Sequence, residues 1–193
     1  MNPALGSHSH HGSGSGTGSI VRHNAQAAMS EEDRIGVANG RLRLLIPITA
    51  DEDSRWGVDY ALRLHEEGRD VEVCFLNVGE VITQWQVLRS RTQAEIEKFQ
   101  AERAEAFIAE ASQPLAEKRI HFRGLFKQGD IVFSILDTAE ELECDEIVMP
   151  MPQTGLLSLL SRDIVTAVQR GQRGVQVTTV GRNGIATDLQ LRH

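Results

Sequence analysis

Cysteine is scarce in this chain: two residues in 193, Cys74 and Cys144, with no CxxC spacing between them. Both lie inside apolar segments, so the simplest reading is a reducing cytoplasm and two buried thiols. Long hydrophobic runs are absent as well. None approaches the roughly 18 residues of a spanning helix, and the start of the chain has no apolar signal core. Positive charge is in deficit, with 20 Lys and Arg against 27 Asp and Glu and a net charge of −7. That balance disfavours a bulk electrostatic partnership with nucleic acid or an anionic membrane surface. No nucleophile elbow, Walker loop or Rossmann glycine set occurs. What remains is 40% hydrophobic and 24% charged, ordinary for one globular domain with a full core.

Residues 6–19, GSHSHHGSGSGTGS, carry no large apolar side chain and cannot offset their ordering entropy. Residues 1–40 therefore read as a disordered Gly/Ser/His-rich tail, an engineered linker or a solvated extension. His8, His10 and His11 lie in it without fixed geometry, so no metal site is expected. Residues 41–181 read as the folded domain, and 182–193 as a loose C-terminal extension.

Within the domain, RLRLLIPIT at 41–49 is a short apolar run ended by proline, as a buried strand is. ADEDSRWGVDYALRLHEEG follows as a helix with an acidic first turn and Gly68 at its end. DVEVCFLNV at 70–78 is a second strand. The charged stretch from Thr83 to about Ala111 is a long helix, closed by Pro114. RIHFRGLF at 119–126 alternates as a third strand. Gly129 and Asp130 cap a helix whose apolar face is Val132, Ile135, Ala139 and Leu142. CDEIVMP is a fourth strand, Ser158 to Arg170 a helix, and GVQVTTV at 174–180 a fifth strand. This alternation predicts an α/β fold: a doubly wound, five-stranded parallel sheet with helices on both faces. Ligands bind such sheets outside the carboxyl ends of the strands, where strand order reverses. PITADED after strand one and MPMPQTG after strand four become the candidate pocket walls.

The ordered set RLLIPITADEDSRWGVDYALRL, QGDIVFSILDTAEELECDEIVM and GVQVTTV resembles the universal stress protein family across about Arg41 to Val180. The resemblance implies the adenine nucleotide alpha hydrolase-like fold. It also implies a division, since some members bind ATP and others do not. Binders resemble G-x2-G-x9-G-S/T after strand four and carry an Asp at the end of strand one. Laid on this sequence, that Asp falls on Thr49, the first glycine on Pro150 and the second on Gln153. The final pair falls on Asp163 and Ile164 by direct counting, or on Ser161 and Arg162 counted back from strand five. Proline has no N–H to offer a phosphate, glutamine adds a side chain where backbone should approach, and Asp163 at the helix start repels a triphosphate. The resemblance thus implies a degenerate loop and no ATP cofactor. If any ligand binds, the implied pocket positions are Pro47, Thr49, Met149, Pro150, Gln153, Gly155, Ser158, Ser161 and Arg162. Thr154, Ser158, Ser161 and Arg162 near a helix N-terminus either attract a smaller anion or simply cap and solvate the helix.

Other candidates read as structural. Asp51, Glu52 and Asp53 suit capping and the helix dipole better than a metal. His65 and His121 have no spaced ligand partner. Cys144 is flanked by Glu143, Asp145 and Glu146, whereas a reactive thiol needs a neighbouring positive charge. Trp56 and Trp85 serve packing or a partner surface. The resemblance further implies that strand five lies at the sheet edge and pairs with a second subunit. The dimer edge would be Val175, Val177, Thr179 and Val180, unless the C-terminal extension covers it. The expected function is a non-catalytic, cytoplasmic interaction protein of stress response, with no nucleic-acid or membrane partner. The alternative is a nucleotide- or small-anion sensor using the modified pocket. An enzyme is supported only by fold analogy, because no acid–base pair is placed.

Overall fold

The computed structural model describes residues 40–81, 92–152, 158–172 and 174–187. Its strands are β1 (Leu42–Pro47), β2 (Val71–Gly79), β3 (His121–Gln128), β4 (Glu146–Pro150), β5 (Gln176–Val180) and β6 (Ala186–Thr187). Its helices are α1 (Trp56–Glu66), α2 (Gln93–Glu117), α3 (Ile131–Glu141) and α4 (Ser158–Gly171), with a 3-10 turn at Glu52–Arg55 before α1. The sheet order is β3-β2-β1-β4-β5-β6. The first five strands are parallel and β6 is antiparallel to β5.

β1 is the central strand because it is apolar on both sides: Leu44, Leu45 and Ile46 are all fully buried. Alternate residues feed two separate cores. Leu44 and Ile46 join Val58 and Ala61 of α1 and Ile108, Ala111 and Leu115 of α2 on one face. Leu45 joins Ile135 and Ala139 of α3 and Val165 and Val168 of α4 on the other. The sheet is therefore doubly wound. From β1 the chain builds outward through β2 and β3, then returns to lay β4 and β5 on the opposite side. The strand order reverses between β1 and β4, where Leu44 faces Glu146 and Leu45 faces Ile147. That places a crevice at the carboxyl ends of these two strands.

Local sequence fixes the helix ends. Asp130 caps α3, its side chain accepting the Phe133 N–H at 2.8 Å. Gly68 closes α1 with φ of +87°, a left-handed turn. Thr92 and Glu95 form a reciprocal capping box at α2.

The structure corrects four expectations. The helix expected from Thr83 to about Ala111 begins at Gln93 and runs on to Glu117, with Pro114 inside its last turn; residues 83–91 lie outside the described residues. Buried Ala111, Ser112 and Leu115 hold that turn against the sheet, and packing outweighs the lost N–H. The acids expected in the first turn of α1 fall instead in the 3-10 turn and just before it. The sheet has six strands, since Ala186–Thr187 adds to the five parallel ones. Accordingly the C-terminal extension is not loose through residue 187. Gly184, at φ of +61°, packs so closely on α1 that a Cβ there would sit 2.5 Å from backbone atoms of Asp59 and Tyr60. β6 then pairs Thr187 with Thr179 and Ala186 with Val180, covering the last two residues of β5.

Candidate functional site

The crevice has two walls. The first is the exit of β1. Pro47 is half-buried and Ile48 buried, the latter donating its N–H to the Leu76 carbonyl at 2.8 Å. The Ile48 carbonyl accepts from Asn77 Nδ2 at 2.7 Å. Thr49 is exposed, and its hydroxyl accepts the Asp51 N–H at 3.2 Å. Ser54 Oγ donates to the Asp51 carbonyl at 2.7 Å and Ser54 N–H to the same oxygen at 3.1 Å. The loop from 49 to 54 is thus closed on itself. Asp51 stands at the N-cap of the 3-10 turn, but its side chain makes no cap hydrogen bond, unlike the capping role expected for it. The Thr49 hydroxyl sits beside the Asp51 carboxylate at 3.4 Å, so the acid turns back toward β1.

The second wall is the exit of β4. Met149 is buried in the α3/α4 core, whereas Pro150, Met151 and Pro152 are half-buried. Two of these three exit residues are prolines and have no N–H. The third, Met151, donates its N–H to the Val180 carbonyl at 2.7 Å. From 150 to 152 the strand exit therefore has no backbone donor left to present to an anion. Gln153 and Gly155, with Thr154, lie outside the described residues. The backbone of Ser158, Ser161 and Arg162 lies at the start of α4, and their side chains are outside the described set. Asp163, expected at the helix start, is instead exposed in the second turn of α4, and Ile164 is half-buried beside it.

The dimer-edge residues are divided by the sheet. Val175 and Val177 are half-buried against the α3/α4 core. Thr179 and Val180 are buried, with Val180 in the opposite core. Thr179 and Val180 therefore offer no outward side chain, whereas Val175 and Val177 are partly exposed, and β6 leaves the edge of β5 before Thr179 unpaired among the described residues. His65 and His121 are both exposed, Trp56 packs on the α1/α2 core, and Trp85 is outside the described residues. Among the described residues, no group of three or more His, Cys, Asp and Glu side chains could hold a metal ion. Nor is any described helix long and apolar enough to cross a membrane.

A second concavity, of about 380 Å³, lies between α1 and α2 and is lined by Glu52, Arg55, Trp56, Asp59, Glu110 and Arg182. Arg55 and Glu110 bridge it at 2.7 Å, and partial burial pushes the Asp59 carboxyl up from its ordinary range. The ion pair across this groove joins a half-exposed arginine and glutamate, and such pairs contribute little. Nearer the sheet, Tyr60 hydroxyl donates to the buried Glu146 carboxylate at 3.1 Å. Burial, followed by that carboxylate's charge and hydrogen bond, pushes the phenol up to about 12. This link ties α1 to β4 beneath the crevice. The sequence held no local signal for it, since the partners are 86 positions apart.

Residues 40–186 match the sequence profile of the universal stress protein family. Solved structures of similar fold include the universal stress protein UspA from Lactobacillus plantarum. It is 15% identical, with a TM-score of 0.60 over 72% of this chain and 97% of that one. Another is a universal stress protein family protein from Arabidopsis thaliana with AMP bound, 14% identical, TM-score 0.51, covering 74% of this chain and 92% of that one. A third is a universal stress protein in complex with cAMP, 14% identical, TM-score 0.51, covering 73% and 97%. At these identities the likeness is one of fold. Compared by sequence with curated proteins, the chain matches none.

Proposed function

The chain belongs to the universal stress protein family, and from that premise we propose that it works without catalysis, as a cytoplasmic interaction protein that does not hold ATP in the family's manner. The observation that carries this reading is the exhausted strand exit. Pro150 and Pro152 have no N–H, and the Met151 N–H is consumed by Val180 at 2.7 Å. A triphosphate needs several inward N–H groups at this position, because they supply positive potential without the bulk of side chains. Thr49 adds to the argument: its hydroxyl is already engaged by the Asp51 N–H where ATP-binding relatives carry an acid. In this reading two chains pair through the β5–β6 end of the sheet, using the part of β5 that β6 leaves uncovered.

A second reading is favoured by the nucleotide-bound relatives, one with AMP and one with cAMP. Here the same crevice accepts a monophosphate or small anion at the start of α4, with Ser158, Ser161 and Arg162 as its donors. A thermal-shift series on nucleotide-free protein separates the two readings. A site filled to 100 times its Kd adds about 2.7 kcal/mol, a shift of several degrees. No shift with Mg-ATP, AMP, cAMP or phosphate is the expected result. A shift with AMP, cAMP or phosphate alone supports the second reading, and one with Mg-ATP contradicts the first.

A further inference from the structure

Strand β5 is covered unevenly along its outer edge. β6 pairs with it only at Thr179 and Val180, opposite Thr187 and Ala186. On its inner side β5 faces β4, and the bonds there fix which way each residue points. Gln176 donates its N–H to the Asp145 carbonyl at 3.2 Å, and the Val180 carbonyl accepts the Met151 N–H at 2.7 Å. Even-numbered residues thus turn their backbone toward β4, and odd-numbered residues turn theirs outward. Gly181 does so, donating its N–H to the Ile185 carbonyl at 3.0 Å. Among the described residues, the N–H and C=O groups of Val177, and of Val175 just ahead of the strand, have no strand beside them. Burial follows the same boundary: Thr179 and Val180 are buried, whereas Val175 and Val177 are only partly so. Val175 also lines a groove of about 260 Å³ between α3 and the end of α4. Leu136, Ala139 and Ile147 line it too, together with Phe133, which is 68% exposed.

We propose that Asp188–Leu191, the residues that follow β6, continue it antiparallel along β5 and cover this edge from within the same chain. The register leaves one arrangement. Thr187 opposite Thr179 sets Asp188 opposite Thr178, Leu189 opposite Val177, Gln190 opposite Gln176 and Leu191 opposite Val175. Directly opposite residues share a face of the sheet. Leu189 and Leu191 therefore join Val177 and Val175 on the α3/α4 face, where both valines pack against the core. Leu191 stands at the Val175 end of the groove. Asp188 and Gln190 fall on the other face beside Thr178 and Gln176, which are themselves linked from Gln176 Nε2 to Thr178 Oγ1 at 3.1 Å. Leu189 and Leu191 also take the hydrogen-bonded positions, which satisfies the open backbone groups of Val177 and Val175. Apolar meets apolar and polar meets polar at all four positions. A slip of one residue would reverse every match, so the pattern Asp-Leu-Gln-Leu fits the register that β6 has begun.

The consequence for assembly rests on the β5-edge dimer proposed above. A second copy needs the same backbone groups of Val175 and Val177, so the segment and the partner exclude each other. A four-residue strand at the end of a sheet opens at little cost, which makes the cover displaceable.

The test is hydrogen–deuterium exchange of the full-length protein at a concentration where light scattering shows a monomer. The expected result is slow exchange at the Val175 and Val177 amides. Leu189→Asp/Leu191→Asp should speed it by about tenfold or more, because both acids would face the apolar side of the edge. Rapid exchange at both amides in the full-length monomer, or an unchanged rate in the double variant, would overturn the cover. So would protection that appears only as dimers form, since the occupant would then be a second copy. A cysteine pair gives an independent reading. In Val177→Cys/Leu189→Cys the opposed Cα atoms would stand about 5.5 Å apart, and mild oxidation should join them within one chain. A bond between chains, or none, contradicts the proposal. The dimer is judged separately, by light scattering of the leucine double variant. Dimers at lower concentration than in the wild type are expected; a variant that stays monomeric sinks the β5-edge dimer, while the exchange result still decides the cover.

Discussion

Tyr60→Phe removes one oxygen atom and keeps the ring that packs against the α1/α2 core. The hydroxyl lost is the one that donates to Glu146, a carboxylate only 5% exposed at the entrance of β4. A hydrogen bond to a charged group contributes about 1.5–3 kcal/mol, and a buried acceptor left without its donor sits in the upper part of that range. The expected loss at pH 7 is therefore about 2 kcal/mol, read as a lower urea midpoint with an unchanged slope. In a Glu146→Gln background the same change should cost less than about 1 kcal/mol, because a neutral amide forms the weaker bond. The pH dependence has a definite sign. Tyr60 titrates near 10 when unfolded and is pushed up to about 12 when folded. Its contribution is thus fully present below pH 10 and is lost as pH rises from 10 to 12, when the unfolded chain releases its proton first. The full shift corresponds to about 3 kcal/mol; the phenol is only partly buried, so solvent screening reduces the expected effect to about 1 kcal/mol. Stability curves of the wild type and Tyr60→Phe should therefore converge by that amount above pH 10. A loss below about 0.5 kcal/mol at pH 7, or an equal loss in the wild-type and Glu146→Gln backgrounds, would refute the link as a structural tie.

Gly184→Ala forces a left-handed residue into contact with the α1 backbone, 2.5 Å from Asp59 and Tyr60. It should detach the turn and β6 at a cost of about 2–3 kcal/mol, and the backbone amides beside β6 should exchange hydrogen faster; unchanged exchange would show that β6 does not depend on this turn. Asp130→Ala deletes the cap on the Phe133 N–H and should lower stability by about 1 kcal/mol, with Asp130→Asn recovering most of it. Equal urea midpoints for Asp130→Ala and the wild type would contradict that cap.

Much of the fold was legible because local and tertiary signals agree in the central strands and at the helix ends. Residues 41–49 read as a buried strand because β1, at Leu42–Pro47 within them, is covered on both faces. Gly68 and Asp130 read as helix punctuation because their backbone and side-chain roles are local. Pro114 misled, since its helix is held by Leu115 and Ala111 against the sheet, and sequence propensity does not register that contact. β6 is two residues long and depends on a glycine fitting against a distant helix, so it left no periodic signal. The alternation of strands and helices predicted the parallel sheet whose order reverses between β1 and β4, and the prolines at the exit of β4 were visible as residues without donors. That the one remaining N–H, on Met151, is spent on Val180 is a fact of strand pairing across 29 positions. The Arg123–Cys74 contact is likewise a matter of register between β2 and β3. Pairings of this kind become legible only once the strand order is known.

The most direct test of the central claim is isothermal titration of Mg-ATP into full-length protein whose mass confirms that no nucleotide has been carried through purification. The depleted strand exit at 150–152 predicts a flat trace from a folded sample. Heat that saturates at one ATP per chain with micromolar affinity would contradict it, and would mean that the crevice holds phosphates without the backbone donors of that exit.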